Sequence, residues 1–152
     1  MTIEQKENSQ KQQLSVLLPV QSLYKAVNCL DTLKSMFGKQ LELIFLHVVD
    51  IRLKDNFQLL DYGKEEELFQ TLKNKAEIAI RNLIPEESSS QVMVVEGIPF
   101  LEIVKIARDL NVDLIVMKRN TDSNEKKIEN LLFGSTTERV IRASSIPVIS
   151  LP

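Results

Sequence analysis

Two stretches of this sequence hold the residues best suited to gripping a ligand. Pro19-Val20-Gln21-Ser22 follows one apolar run, and Met117 to Thr136 follows another. The second stretch is densely charged, with Lys118, Arg119, Lys126 and Lys127 set against Asp122, Glu125 and Glu129. Its basic side chains suit an anion, and the plainer alternative is a solvated loop of mixed charge. Near its end, Ser135-Thr-Thr-Glu138 matches a capping box, which starts a helix directly after Gly134. A helix start offers unpaired N–H groups and the positive end of the dipole, so Gly134, Ser135 and Thr136 also form a candidate anion site.

The other reactive residue types stand alone. His47 is the single histidine, inside an apolar run, and reads as a buried, hydrogen-bonded structural residue without partners at metal spacing. Cys29, the single cysteine, excludes an internal disulfide and reads as a packing residue within a helix. Glu65-Glu66-Glu67 suits a solvated first helical turn. No nucleophile elbow G-x-S-x-G, Walker A motif or dinucleotide fingerprint is present. A receiver-type phosphoacceptor needs acidic residues where Gln21 stands. No catalytic residue and no metal site are assigned, and the chain reads as a binding protein rather than an enzyme.

The elements that must position these loops are legible as apolar runs. Leu14–Val20, Leu41–Val49, Val92–Val95, Val112–Met117 and Pro147–Leu151 read as five strands. Between them lie four helical patterns. Ser22 caps the first, which carries Leu23, Ala26, Val27, Leu30, Leu33 and Phe37, with Gly38 as the left-handed residue beyond its end. The second has Leu68, Leu72, Ala76, Ala79 and Leu83 on one stripe, and Pro85 with Ser88–Ser90 stops it. Gly97 breaks the third strand, Pro99 sits in the first turn of the third helix, and Phe100, Ile103, Val104, Ala107 and Leu110 form its buried face. The fourth helix begins at Ser135. Strands alternating with helices predict a parallel sheet covered on both faces, a three-layer α/β sandwich. Ligands in such sheets bind beyond the carboxyl ends of the strands, where strand order reverses. The pattern leaves two orders open, with the reversal between the first and third strands or between the first and fourth.

Bulk properties narrow the partners. A chain of 152 residues suits one domain, residues 14–152, preceded by a polar tail over residues 1–13. The net charge of -2 gives no pull toward nucleic acid or an anionic membrane surface. No apolar stretch reaches the roughly 20 residues of a spanning helix, and the tail lacks the apolar core of a signal peptide. The expected location is cytoplasmic.

Several runs together resemble the universal stress protein family: "LLPV", "LIFLHVV", "VVEGIP", then "DLIVM" followed by "FGSTTERVIRASSIPVI". The resemblance covers nearly all of Leu14 to Leu151, in the family's order. It implies strand order 3-2-1-4-5, so that both notable loops face one crevice. Asp113, just before the apolar core of its strand, resembles a structural position of the family. In the ATP-binding branch, the fourth strand leads into G-x2-G-x9-G-[ST], and an Asp after the first strand's Pro-Val holds the adenosine. Here Gln21 replaces that Asp, and only Gly134-Ser135 survives of the loop motif, with no glycine from Lys118 to Phe133.

The resemblance implies a site drawn from Pro19, Val20, Gln21, Val49, Met117, Lys118, Arg119, Gly134, Ser135 and Thr136. Its ligand would be ATP or another adenine nucleotide. The departures lead to an expectation of a non-enzymatic, regulatory stress-response protein with weakened or lost ATP binding, acting through a protein partner. The alternative is a module holding ATP, AMP or a cyclic nucleotide through the altered loop. The resemblance also implies a homodimer, built on the edge strand through Val148, Ile149, Ser150 and Leu151.

Overall fold

A computed structural model of the chain describes residues 13–21, 28–38, 40–53, 62–84, 90–118 and 135–151. Residues 1–12 of the tail expected over residues 1–13 lie outside them. So do the Ser22 cap with Leu23, Ala26 and Val27, the side chain of Cys29, and the loop from Arg119 to Gly134.

Five strands, β1 (Leu14–Pro19), β2 (Leu41–Asp50), β3 (Ser90–Gly97), β4 (Leu114–Lys118) and β5 (Val148–Leu151), form one parallel sheet of order β3-β2-β1-β4-β5. The described helices are α1 (Asn28–Phe37), α2 (Tyr62–Leu83), α3 (Pro99–Asp109) and α4 (Ser135–Ala143). The three-layer arrangement and the 3-2-1-4-5 order are thus those the family resemblance implies.

β1 lies in the middle of the sheet, and its side chains alternate between the two cores. Val16 and Leu18 pack with Leu30 and Leu33 of α1, Ile80 of α2, and Leu43 and Phe45 of β2. Leu17 packs on the other face with Ile103, Ile106 and Ala107 of α3, Val140 of α4, and Ile44 and Leu46 of β2. Each face of the sheet is therefore sealed by a helix pair.

The ladders on the two sides of β1 are unequal. It pairs with β2 over six residues, Leu14 to Pro19, but with β4 over only two, Val16↔Leu114 and Leu17↔Ile115. Parity explains the difference. The Ser15 N–H points toward the β4 side, where the Asp113 carboxylate accepts it, and the Val20 N–H points toward β2, where Leu46 O accepts it at 2.7 Å. Odd-numbered N–H groups of β1 therefore serve the β4 ladder, and at position 19 proline has none to give.

Helix ends follow from residues able to adopt left-handed backbone. Gly38 follows α1 at φ 80°, and its N–H returns to Lys34 O. Asn111 does the same after α3 at φ 50°, where its N–H bonds Arg108 O and the Val112 N–H bonds Ala107 O, a Schellman closure. That closure delays β4 to Leu114, although Val112 was expected in the strand. It also makes Leu110 a cap residue, 44% exposed rather than on the buried face. The buried stripe of α2 is Phe69, Ala76 and Ile80, with Leu68, Leu72, Ala79 and Leu83 half-buried along its margins. The expected stripe was offset because a long amphipathic helix carries apolar residues on both margins.

At the base of the β1–β4 seam, Asp113 accepts the Ser15 N–H at 2.9 Å while its own N–H donates to Ser15 O at 2.9 Å. Replacing Asp113 by alanine strands the Ser15 N–H and is expected to cost about 1–3 kcal/mol in denaturant unfolding. Asp113→Asn, which retains an acceptor, should lose less; equal losses would refute the role assigned to the carboxylate.

Candidate functional site

Beyond the end of the short β1–β4 ladder lies a cleft of about 200 Å³. Its floor and walls come from three places in the chain. The end of β1 supplies Pro19, Val20 and Gln21; the last turns of β2 supply Leu46, His47, Val48, Asp50 and, just beyond, Arg52. The helix starts supply Pro99 and Ile103 of α3 and Thr136 of α4. An apolar trough therefore ends in a polar rim of amide, hydroxyl and one carboxylate–guanidinium pair.

Pro99, in the first turn of α3, comes two residues after the end of β3 and lines the cleft. A Cβ at Gly97 would meet the Glu102 side chain, which would have to move aside. α4 is held against α3 by Arg139, whose guanidinium lies over the Phe100 ring at 5.3 Å. The Glu138 carboxylate, expected in a capping box, accepts from Arg142 at 2.7 Å, one turn along its own helix. Thr137 is buried beside it while Thr136 turns to the cleft.

Two polar contacts shape the rim. His47 Nδ1 donates to the Val20 carbonyl at 2.7 Å, which ties β2 to the chain leaving β1. The carbonyl only accepts, so the proton is on Nδ1 and Nε2 remains an acceptor in the neutral ring. His47 is half-buried rather than buried, and its role is the structural one its sequence context suggests. At the end of β2, Asp50 accepts the Arg52 backbone N–H at 2.9 Å and grips the guanidinium through Nε at 2.8 and 3.0 Å and through NH2. These side-chain hydrogen bonds hold the Asp50 carboxyl below the usual carboxylate range.

The residues singled out by sequence divide into three groups. Pro19, Val20, Gln21 and Thr136 come together at the cleft. Val49 and Met117 are buried, 4% and 1% exposed, and Lys118 is half-buried at the end of β4; none of the three lines this cleft. For Val49 the reason is strand alternation: its neighbour Val48 faces the trough. Arg119, Gly134 and the Ser135 side chain lie outside the described residues. Asp50 and Arg52 also line the cleft and are not among the residues that the sequence singles out. Their signal is position: they are the charged residues at and just beyond the carboxyl end of β2, a strand adjacent to β1. Among the described residues, no group of three or more His, Cys, Asp or Glu could hold a metal, and no helix is long and apolar enough to cross a membrane.

A parallel sheet of this order, with a cleft beside its reversal, defines a doubly wound α/β binding domain. Comparison with known proteins gives the particular group. The sequence model described as the Universal stress protein family matches residues 16–152. Universal stress protein MJ0577 of Methanocaldococcus jannaschii is 38% identical over 141 residues, covering 82% of each chain. The solved structure of MJ0577 superposes with a TM-score of 0.71 at 32% identity, over 90% of this chain and 94% of that one. The structure of protein PH0823 gives a TM-score of 0.61 at 28% identity, over 91% and 94%. A universal stress protein in complex with cAMP shares the fold at a TM-score of 0.54 and 17% identity, over 91% and 96%. The chain belongs to the universal stress protein family.

The Asp50–Arg52 pair carries a pH dependence. A carboxyl that ionises at lower pH folded than unfolded adds stability above its unfolded pKa, and that stability disappears as pH falls through the folded value. The pair is exposed, so the contribution is small. NMR titration is expected to place the Asp50 carboxyl below a solvated aspartate, and Arg52→Gln to move it back up. An unshifted native value would mean the pair does not persist in solution.

Proposed function

We propose that this protein is a non-enzymatic, regulatory stress-response binding member of the universal stress protein family in which ATP binding is weakened or lost. One observation carries the reading. The cleft keeps its apolar walls, but the residue after Pro19-Val20 is Gln21, and no glycine stands between Met117 and Gly134. A neutral amide replaces a carboxylate acceptor for the nucleoside, and side chains replace the bare backbone that lets phosphates approach closely. Signalling through a protein partner, in the cytoplasm, is the role that fits a binding domain without a catalytic group.

A second reading is favoured by the charged rim at Asp50 and Arg52. In it the cleft takes an adenine mononucleotide in place of ATP, in keeping with a family member crystallised with cAMP. Recognition then shifts from the loop after β4 to the opposite wall. Thermal unfolding with millimolar ATP–Mg, AMP and cyclic nucleotides separates the readings. A ligand at a hundredfold over its Kd adds about 2.7 kcal/mol, which raises Tm by several degrees in a domain of this size. ATP–Mg is expected to shift Tm least. Tight, stoichiometric ATP retained through purification would overturn the proposal.

The protein is further proposed to be a homodimer through β5. That strand is at the end of the sheet order, and its Val148, Ile149 and Ser150 remain partly exposed while Leu151 is buried. A strand edge of this kind pairs readily with its twin. Light scattering is expected to give the dimer mass at tens of micromolar (roughly the range in which weak dimers form). A monomer at that concentration would rule this interface out.

A further inference from the structure

We propose that the outer seam between α3 and α4 docks an acidic amphipathic segment of another protein. The proposal rests on the protein-partner reading and gives that partner a surface, separate from the cleft and from whatever fills it.

Two contacts fix how α3 is turned. Glu102 lies against Gly97 of β3, and on the other flank Phe100 lies under the Arg139 guanidinium of α4. Ile103, Ile106 and Ala107 face the core. At about 100° per residue, the outward stripe is then Leu101, Lys105 and Arg108, and all three are exposed. On α4, Val140 is buried, so Arg139 and Ala143 turn toward α3 while Arg142 stands outward. Ile141 falls on the opposite flank, toward the β5 edge, so the seam stays open in a dimer built on β5.

This surface is apolar along its middle and cationic around it. Leu101 is 50% exposed, Phe100 and Val104 are half-buried beside it, and Ala143 is exposed across the seam. Lys105, Arg108, Arg139 and Arg142 surround that strip, with Asp109 and Glu138 as the acidic neighbours, in a chain whose net charge is -2. The neighbours leave most of this charge available. Glu138 accepts from Arg142 at 2.7 Å and Asp109 meets Arg108 at 3.6 Å, but both arginine side chains are more than 70% exposed. Ion pairs this wet are weak and exchange readily for another carboxylate. Arg139 is held by an aromatic ring, which has no oxygen to occupy its N–H groups.

Complementarity selects the partner. An exposed leucine among arginines asks for an apolar side chain and carboxylates together, and an acidic segment with a leucine anchor supplies both. Nucleic acid answers only the charge, and the net negative chain repels it.

Fluorescence anisotropy of the full chain with a dye-labelled helical peptide of glutamate, leucine and alanine tests this. The same peptide with glutamine for glutamate is the control. The acidic peptide is expected to bind about tenfold more tightly, the scale of a charge-assisted contact, with the preference shrinking as salt rises. Lys105→Glu with Arg108→Glu should remove the preference at unchanged Tm, and Leu101→Ser should weaken both peptides. Lys75→Glu with Arg81→Glu, an equal charge change on exposed positions of α2, should leave both unchanged. A preference that survives the α3 substitutions, or that the α2 substitutions also remove, overturns the seam as the site. Equal binding of the two peptides overturns the acidic partner while a protein-binding role stands. Binding of neither overturns the docking site and takes from the partner reading the surface given to it. Tighter binding of a single-stranded oligonucleotide than of the acidic peptide overturns the choice of partner.

Discussion

The structure depends on the double pairing of β1. This strand has neighbours on both sides and helices on both faces, so each of its side chains and nearly all its backbone groups are committed. Its register with β4 is pinned at the base by the reciprocal bonds between Ser15 and Asp113. The other end is set by Pro19, which cannot extend the ladder toward β4. Between those two points the sheet reverses its order, and the helices on its two faces depart in opposite directions.

The cleft is a consequence of that constraint rather than an added feature. With the β4 ladder stopped, Val20 is held from the β2 side, by its N–H to Leu46 and by His47 to its carbonyl. The trough follows β2 for the same reason, with Leu46 and Val48 on the side facing Ile103 of α3. The start of α3 at Pro99 lies over that trough, and the Arg139–Phe100 contact holds the α4 start beside it. The described walls of the site are therefore positioned by core packing, and the rim residues Gln21, Asp50, Arg52 and Thr136 are the part able to vary without disturbing it.

That division explains what the sequence disclosed. Apolar runs such as Leu14–Pro19 and Leu41–Val49 name strands because burial on both faces leaves no room for polar alternation, and Gly38 names a helix end because few residues tolerate its φ. Periodicity was less informative where the helix was long, as with Phe69 against Leu68 in α2. It was silent about Asn111, whose left-handed backbone postpones β4. Strand order came only through resemblance to a family, since β1 is as apolar beside β4 as it would be beside β3. At the site, residues such as Pro19 and Gln21 were visible because they end a strand. Val48 and Arg52 were not, because the choice between adjacent residues rests on strand parity and on a local turn, neither of which composition records.

The two ways of holding an anion also differ in what they can select. A glycine-lined loop at a helix start presents several backbone N–H groups along a path, and so can follow a chain of phosphates. A single guanidinium presents one fork at one point and reads one phosphate. In this chain the loop after β4 has lysine, asparagine and threonine where glycine would be needed, while the rim at the end of β2 carries an arginine already oriented by its own carboxylate.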